Sequence, residues 1–178
     1  MKRMVWLVGM VATCQCAFAA GSAHWGYEGS DVSIGDHRYA LKQFHFHSPS
    51  ENEIDGKRHP LEAHFVHADA DGNLAVVAVM FEEGAENKAL KQAWAHMPEK
   101  AGQVLKADAT AGDLLPDNHD YYRYNGSLTT PPCTEGVTWL VMQHPLAASA
   151  KQIKQFEHVM HHPNNRPIQQ ANARLIMR

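Results

Sequence analysis

The stretch LKQFHFHSPSEN, residues 41–52, alternates between two kinds of side chain. Successive side chains of a β-strand point to opposite faces. If this stretch is a strand, His45 and His47 share one face with Gln43, and the phenylalanines beside them share the other. We expect one face to carry polar chemistry and the other to join a hydrophobic core.

A second stretch, LEAHFVHADADG at 61–72, repeats this alternation and places Glu62 and His64 on one face. If it lies antiparallel beside the first strand, His64 meets His45 and His47 at one point. Three imidazoles around one open position form a catalytic zinc site, in which water is the fourth ligand. The two stretches together favour such a site over three unrelated surface or core-edge histidines.

The polar residues two places before these histidines suit a supporting role. Gln43 precedes His45, and Glu62 precedes His64, on the same face. A zinc-bound histidine usually donates its second ring N–H to an acceptor that fixes the orientation of the ring. Exposed polar residues on any strand would alternate in the same way, so the pattern permits this role without requiring it.

The same histidines allow a second metal-binding interpretation. His45, His47 and Glu51 resemble the first metal motif of the cupin barrels. Tyr39 and Arg58 stand where that motif expects glycines, and no second cupin motif follows. Because short motifs specify folds loosely, we favour the three-histidine site.

The composition is that of one globular domain. The chain has 178 residues, of which 44% are hydrophobic and 20% charged. Its formal net charge is -3, and no basic run follows a phosphate backbone, which argues against nucleic acid as a partner. Thirteen histidines favour metal or proton chemistry.

Periodicity predicts an α+β, β-rich fold: a single domain with a mostly antiparallel, central twisted sheet and short surface helices. The turn at 69–73, DADGN, predicts a hairpin. The predicted strands are 38–48, 61–70, 74–82, 121–124 and 137–144, and the predicted helices are 85–96 and 149–161.

The first nineteen residues are predicted to be a signal peptide, which leaves 20–178 as the folded domain. Lys2 and Arg3 precede an apolar run, and a small-x-small site ends the segment. We therefore expect a periplasmic or secreted protein with no stable membrane insertion. A lipid on Cys14 or Cys16 is an alternative that Thr13 and Gln15 disfavour.

Three further strings extend the pattern: HWGYEG at 24–29, YNGSLTTPPCTEGVTWLV at 124–141 and NNRPIQ at 164–169. Together with the two histidine strands, they resemble the α-class carbonic anhydrases, particularly the exported bacterial members. The resemblance implies zinc-dependent, reversible hydration of carbon dioxide to bicarbonate and a proton by attack of zinc-bound hydroxide. The implied partner is a small-molecule substrate, carbon dioxide or bicarbonate.

The resemblance also implies a role for individual residues. His45, His47 and His64 would be the Zn²⁺ ligands. The residues that would support them are Gln43, Glu62 and the carbonyl of Asn164. Thr129 would be the gatekeeper that orients the hydroxide, with its own hydroxyl donating to Glu51. The residues expected at the substrate are Thr130, for the departing anion, and Val66, Val76, Leu128, Val137 and Trp139, for an apolar pocket.

The match breaks between about residues 29 and 32, where the family has a long segment that this chain lacks. That segment would carry part of the sheet, the histidine that usually shuttles protons and the cysteine that pairs with the equivalent of Cys133. His24 and His67 are weak substitutes for the shuttle. An unpaired Cys133 and an exposed sheet edge predict a homodimer.

This shortening leaves two alternatives to a working enzyme. One is a folded carbonic anhydrase relic that binds zinc with weak or no activity, and the other is a non-catalytic, histidine-rich zinc-binding protein. Thr129 and Glu51 argue against the second, because zinc storage needs neither of them.

Overall fold

The structure is a computed structural model. It describes residues 11–12, 31–35, 37–95, 97 and 110–178. The predicted signal peptide lies outside the described residues except for Val11 and Ala12, as do Cys14, Cys16 and His24.

The described residues form ten strands and two α-helices. The strands are Val11–Ala12 (β1), Val32–Ile34 (β2), His37–His47 (β3), Glu53–Ile54 (β4), Lys57–Arg58 (β5), Leu61–Ala68 (β6), Leu74–Glu83 (β7), Tyr121–Ser127 (β8), Glu135–Met142 (β9) and Leu146–Ala148 (β10). The helices are Lys88–Ala93 (α1) and Ala150–Met160 (α2), and Gly112–Leu114 forms a 3₁₀ turn.

One sheet of eight strands dominates the fold, in the order β1-β3-β6-β7-β9-β8, with β2 beside β3 and β10 beside β7. β7 runs parallel to β9 and β10, and the other pairs in this sheet are antiparallel. The prediction of a β-rich single domain with a mostly antiparallel sheet is confirmed.

The two faces of the sheet carry different residues. Phe44 and Phe46 lie in a large hydrophobic core with the helix residues Leu90, Ile153 and Phe156. On the opposite face, a smaller apolar cluster lies beside the three histidines; its buried members are Val66, Val76, Ala78, Met80, Val137, Trp139 and Val141. The alternation of β3 therefore separates core from site, as its sequence predicts.

The first helix is shorter than the predicted 85–96. Asn87 is its N-cap, because the Asn87 side chain accepts a hydrogen bond from the backbone N–H of Leu90. α2 matches its prediction closely, since Ser149 and Gln152 form a capping box and the left-handed residue His161 ends the helix. Neither described helix has the length and apolar character needed to cross a bilayer.

Strand β8 runs three residues beyond its predicted end at Tyr124, because residues 125–127 continue the pairing with β9. Gly126 is required there. A Cβ at this position would lie 2.9 Å from the Tyr124 ring and 3.1 Å from the Trp139 ring. The glycine thus allows two aromatic side chains to pack over the strand next to the site.

Candidate metal centre

The register of β3 against β6 brings the three histidines together. His45 lies directly opposite His64 in the antiparallel ladder, and His47 opposite Glu62. One ring nitrogen from each of His45, His47 and His64 lies within 4.8 Å of the others. The predicted meeting of the three imidazoles therefore occurs, and it follows from backbone register alone.

Each of these histidines uses its second ring nitrogen to contact an acceptor. His45 Nδ1 lies 2.8 Å from Gln43 Oε1, and His47 Nδ1 lies 3.1 Å from the carbonyl oxygen of Asn164. His64 Nε2 lies 3.0 Å from Glu62 Oε1, within ion-pair distance, but the angle between the groups is not that of a hydrogen bond. Strand alternation suggested Gln43 and Glu62 for this role, and the family resemblance implied Asn164. An acceptor at one nitrogen leaves the other nitrogen of each ring available to a metal.

The nitrogens left over fit a zinc ion. His47 Nε2 is buried and has no hydrogen-bond partner among the described residues. A buried polar atom without a partner is costly, and a bound cation would satisfy it. Three imidazole nitrogens with no thiolate or carboxylate in the set match the His₃ type of catalytic zinc site.

Burial and charge shift the pKa values of the three histidines in different directions. Burial lowers the pKa of His45 and His47, and the neighbouring imidazoles lower it further. Both rings are then neutral near pH 7, the form that binds a metal. Burial opposes the charge on His64 as well, but the carboxylates of Glu62 and Glu51 outweigh it and raise the pKa of His64.

The carboxylate of Glu62 accepts hydrogen bonds from residues other than His64. Its Oε2 accepts from the backbone N–H of Glu51 at 2.6 Å and of Asn52 at 3.0 Å, and its Oε1 accepts from Asn52 Nδ2 at 2.6 Å. Although burial favours the neutral acid, His64 and these donors lower the pKa of Glu62 to about 2. Asn52 in turn accepts from the Tyr124 hydroxyl at 2.9 Å.

Asn52 and Tyr124 are site-supporting residues that the sequence interpretation missed. Asn52 directly follows Glu51 in the stretch at 41–52, but nothing in the sequence indicates its hydrogen bonds with Glu62 and Tyr124. The contact forms because the 48–59 loop folds back, with Ser50 and His59 exchanging backbone and side-chain hydrogen bonds.

Glu51 is poised at the floor of the site. Its Oε1 accepts from the backbone N–H of Arg166 at 2.6 Å. Its Oε2 is buried with no hydrogen-bond partner among the described residues and lies 4.0 Å from His64 Nδ1. Thr129 lines the same cleft. The free carboxylate oxygen is the acceptor that the predicted hydrogen bond from Thr129 would require.

The three histidines open onto a cleft of about 630 Å³. Four of the five residues expected to form an apolar pocket line it: Val66, Val76, Leu128 and Trp139. Val137 does not line the cleft, because it is buried within the same apolar cluster. The Trp139 ring meets His64 edge-on, with ring centroids 4.9 Å apart. The cleft thus joins a polar floor to an apolar wall.

The rim of the cleft contains both expected and unexpected residues. Thr130, which was expected near the substrate, lines the cleft, and Cys133 lies beside it as a free thiol. Leu74, Met160 and His162 also line the cleft and were not predicted. His67, by contrast, lies on the opposite face of β6, where its Nδ1 contacts the carbonyl oxygen of Phe65 at 2.8 Å.

Similarity to known proteins agrees with this geometry. The family model of the eukaryotic-type carbonic anhydrases matches residues 11–178. Carbonic anhydrase from Pectobacterium carotovorum is 53% identical over 151 residues, and that from Neisseria gonorrhoeae is 46% identical over 150 residues. Each of these alignments covers 84% of this chain. A solved α-carbonic anhydrase from Thermovibrio ammonificans, in complex with sulfanilamide, has a TM-score of 0.79 at 51% identity.

This chain is shorter than these relatives. The alignments cover 62% of the Pectobacterium protein and 60% of the Neisseria protein. For the Thermovibrio structure, the match covers 83% of this chain and 66% of that one. The sheet register, the three supported histidines and the family match together identify the chain as a member of the eukaryotic-type, or α-class, carbonic anhydrase family.

Proposed function

We propose that this chain catalyses the reversible hydration of carbon dioxide to bicarbonate and a proton, with Zn²⁺ as its cofactor. The observation that carries the proposal is that His45, His47 and His64 converge at one side of an open cleft with apolar walls. A structural zinc site is closed by four protein ligands, whereas a catalytic site leaves one position open. Here three ligand nitrogens converge and the fourth side faces the cleft.

His45, His47 and His64 would hold the metal. Bound zinc lowers the pKa of its water to about 7, a value established for carbonic anhydrases generally, so a nucleophile is available at neutral pH. Glu62, Gln43 and the Asn164 carbonyl keep the three rings in their orientations.

Orientation of the nucleophile falls to Thr129 and Glu51. The carboxylate of Glu51 can only accept a hydrogen bond, so a bond from the Thr129 hydroxyl leaves that hydroxyl's oxygen to accept the next one. A nucleophile that donates to Thr129 turns a lone pair towards the cleft. Such positioning converts binding into rate, because attack then needs little further ordering.

Substrate selection follows from the cleft walls. Carbon dioxide has no charge, and the apolar side chains of Val66, Val76 and Leu128 give it an environment without competing hydrogen bonds. Bicarbonate is charged and polar, so the same walls favour its release. We expect Thr130, which lines the cleft and is exposed to solvent, to contact the departing anion.

The test is a stopped-flow assay of carbon dioxide hydration against added zinc. We expect the rate to rise with zinc and to level off at one ion per chain. Protein that binds one zinc but gives no rate above the buffer would contradict the proposal and would favour the relic or the zinc-storage alternative.

We also propose that the chain is exported and that it forms a homodimer. The first nineteen residues support export by their charge and apolar run. Cys133 is half-exposed and unpaired, and a free thiol in an oxidising compartment can link two chains. Sizing chromatography should show a dimer that dithiothreitol weakens; a monomer in both conditions would contradict this association, and full-length protein retained in the cytoplasm would contradict export.

A further inference from the structure

Hydration releases one proton for every carbon dioxide consumed, and this proton must leave the cleft before the next turnover. A proton-transfer group needs contact with the cleft on one side and with solvent on the other. The three candidate ligands do not meet this need, because their ring nitrogens are taken by the acceptors and the metal position.

We propose that His162 carries this proton, an inference that rests on the proposed function. Among the described histidines outside the triad, His162 alone lines the cleft. Its side chain is also exposed to solvent. The other exposed histidines in the described part of the chain, which are His37, His119, His144, His158 and His161, do not line the cleft.

The backbone around His162 is fixed relative to the candidate ligands. Asn164 exchanges hydrogen bonds with Ser48, and its Nδ2 donates to the carbonyl oxygen of Phe46 at 2.9 Å. The carbonyl oxygen of Asn164 also accepts from His47 Nδ1 at 3.1 Å. Two residues span at most about 7 Å, so the backbone of His162 lies close to a residue that touches a candidate ligand. A short chain of water molecules can bridge such a separation.

The hydrogen bonding of the His162 ring suits proton acceptance. Nδ1 lies 3.0 Å from the carbonyl oxygen of Pro163. A carbonyl oxygen only accepts, so Nδ1 donates and the neutral ring keeps Nε2 as its base. Nε2 takes the proton from the water chain, and Nδ1 or Nε2 of the cationic ring then releases one proton to a buffer base in solution. The ring returns to its neutral form, and no other reactant is needed.

Imidazole suits this task because one ring nitrogen can accept a proton while the other donates one. A second imidazole-bearing residue on the same helix end provides a control. His158 lies on the exposed side of α2, with its ring centroid 6.0 Å from that of His161, and it does not line the cleft. The variants His162→Gln and His158→Gln remove one imidazole each from the same region.

The kinetic experiment measures hydration by the zinc-loaded chain and both variants in a weak buffer. We expect His162→Gln to lower kcat about a hundred-fold, the lower end of what a positioned proton-transfer group contributes. kcat/KM should stay within a factor of two of the unchanged chain, because that ratio reports the steps up to bicarbonate release, and added imidazole should restore kcat. His158→Gln should leave both parameters unchanged.

A second readout does not depend on activity. The chain is labelled with ¹⁵N-histidine and loaded with Co²⁺, whose unpaired electrons broaden nearby resonances with a steep dependence on distance. The His162 ring signals, assigned by their loss in His162→Gln, should broaden, while those of His144 should not.

The outcomes separate the two proposals. An active chain in which His162→Gln keeps full kcat, or a Co²⁺-loaded chain with sharp His162 signals, would overturn the role of His162 and leave the proposed function intact. A zinc-loaded chain with no hydration activity would overturn the proposed function and this inference together.

Discussion

The two faces of β3 differ in what each side chain must satisfy. Phe46 is fully buried and packs edge-on against Trp94, with ring centroids 5.2 Å apart, inside a large apolar cluster. His45, its neighbour in sequence, faces the cleft and contacts Gln43 through one defined atom. Packing of the apolar face depends on the volume of its side chains, whereas metal binding by the polar face depends on where individual nitrogen and oxygen atoms lie. Neighbouring substitutions should therefore damage different properties of the protein.

The largest effect should follow from removing a ligand. We expect His45→Ala to lose zinc during gel filtration and to lose hydration activity with it, because two imidazoles leave the ion too few protein donors. Stability of the zinc-free protein should change little, since the Gln43 partner is neutral and the His45 side chain lines the cleft instead of the hydrophobic core. Metal analysis after filtration measures the first effect, and urea unfolding the second. A variant that retains one zinc per chain would contradict the ligand assignment.

The neighbouring substitution Phe46→Ala should give the opposite pattern. Truncation of a fully buried phenylalanine costs about 3–5 kcal/mol, because it removes apolar contacts and leaves a cavity. Urea unfolding of the zinc-free protein should show this loss. The fraction that stays folded should still bind one zinc per chain. An unchanged urea midpoint would contradict the view that the apolar face provides stability and the polar face provides zinc binding.

Thr129→Ala should separate zinc binding from catalysis. The three candidate ligands are supported by Gln43, Asn164 and Glu62 and not by Thr129, so zinc affinity should be nearly unchanged. We expect kcat and kcat/KM to fall together by about a hundred-fold, because a misoriented nucleophile costs about this much. Full activity in this variant would rule out its orienting role, and Thr138→Ala, a substitution on β9, is a control for general damage.

Glu62→Gln should have the smallest effect on the metal centre. Loss of a residue that supports a ligand typically reduces metal affinity by about 10- to 100-fold. A competition titration with a chelating dye measures the affinity. Gln43→Ala is the corresponding variant for His45, because Gln43 supports that ring. Unchanged zinc affinity in both variants would show that packing alone sets the orientation of the rings.

The same variant changes the response of the zinc-free protein to acid. The pKa of Glu62 falls from 4.5 to about 2 on folding, so ionised Glu62 contributes stability that is present above pH 4.5 and lost as the pH falls towards 2. Glu62→Gln should therefore reduce the slope of unfolding free energy against pH in this window. Equal slopes for the two proteins, measured by urea unfolding at each pH, would contradict the assigned pKa.

Local patterns predicted the sheet and the ligands but not the rim. Alternation in β3 and β6 fixes which side chains share a face, and one antiparallel pairing is enough to bring His45 to His64. The continuous apolar run of β7 likewise indicates a strand that is covered on both faces.

The remaining contacts depend on folding of distant loops. His47 and Asn164 are 117 residues apart, and only the family resemblance linked them in advance. The role proposed for His162 depends on its place in the cleft, directly after the left-handed residue His161 that ends α2, and local sequence patterns did not predict that place. The hydrogen bond between Tyr124 and Asn52 likewise joins a strand to a loop 72 residues away in the sequence.

The central claim is that three histidine nitrogens hold a zinc ion and leave one position open to the cleft. X-ray absorption at the zinc edge of the loaded protein tests it most directly. We expect three nitrogen ligands of imidazole type at about 2.0–2.1 Å and one further oxygen, with no sulfur contribution. Scattering from sulfur at about 2.3 Å, which would place Cys133 on the metal, or a fourth imidazole that closes the site, would contradict this account.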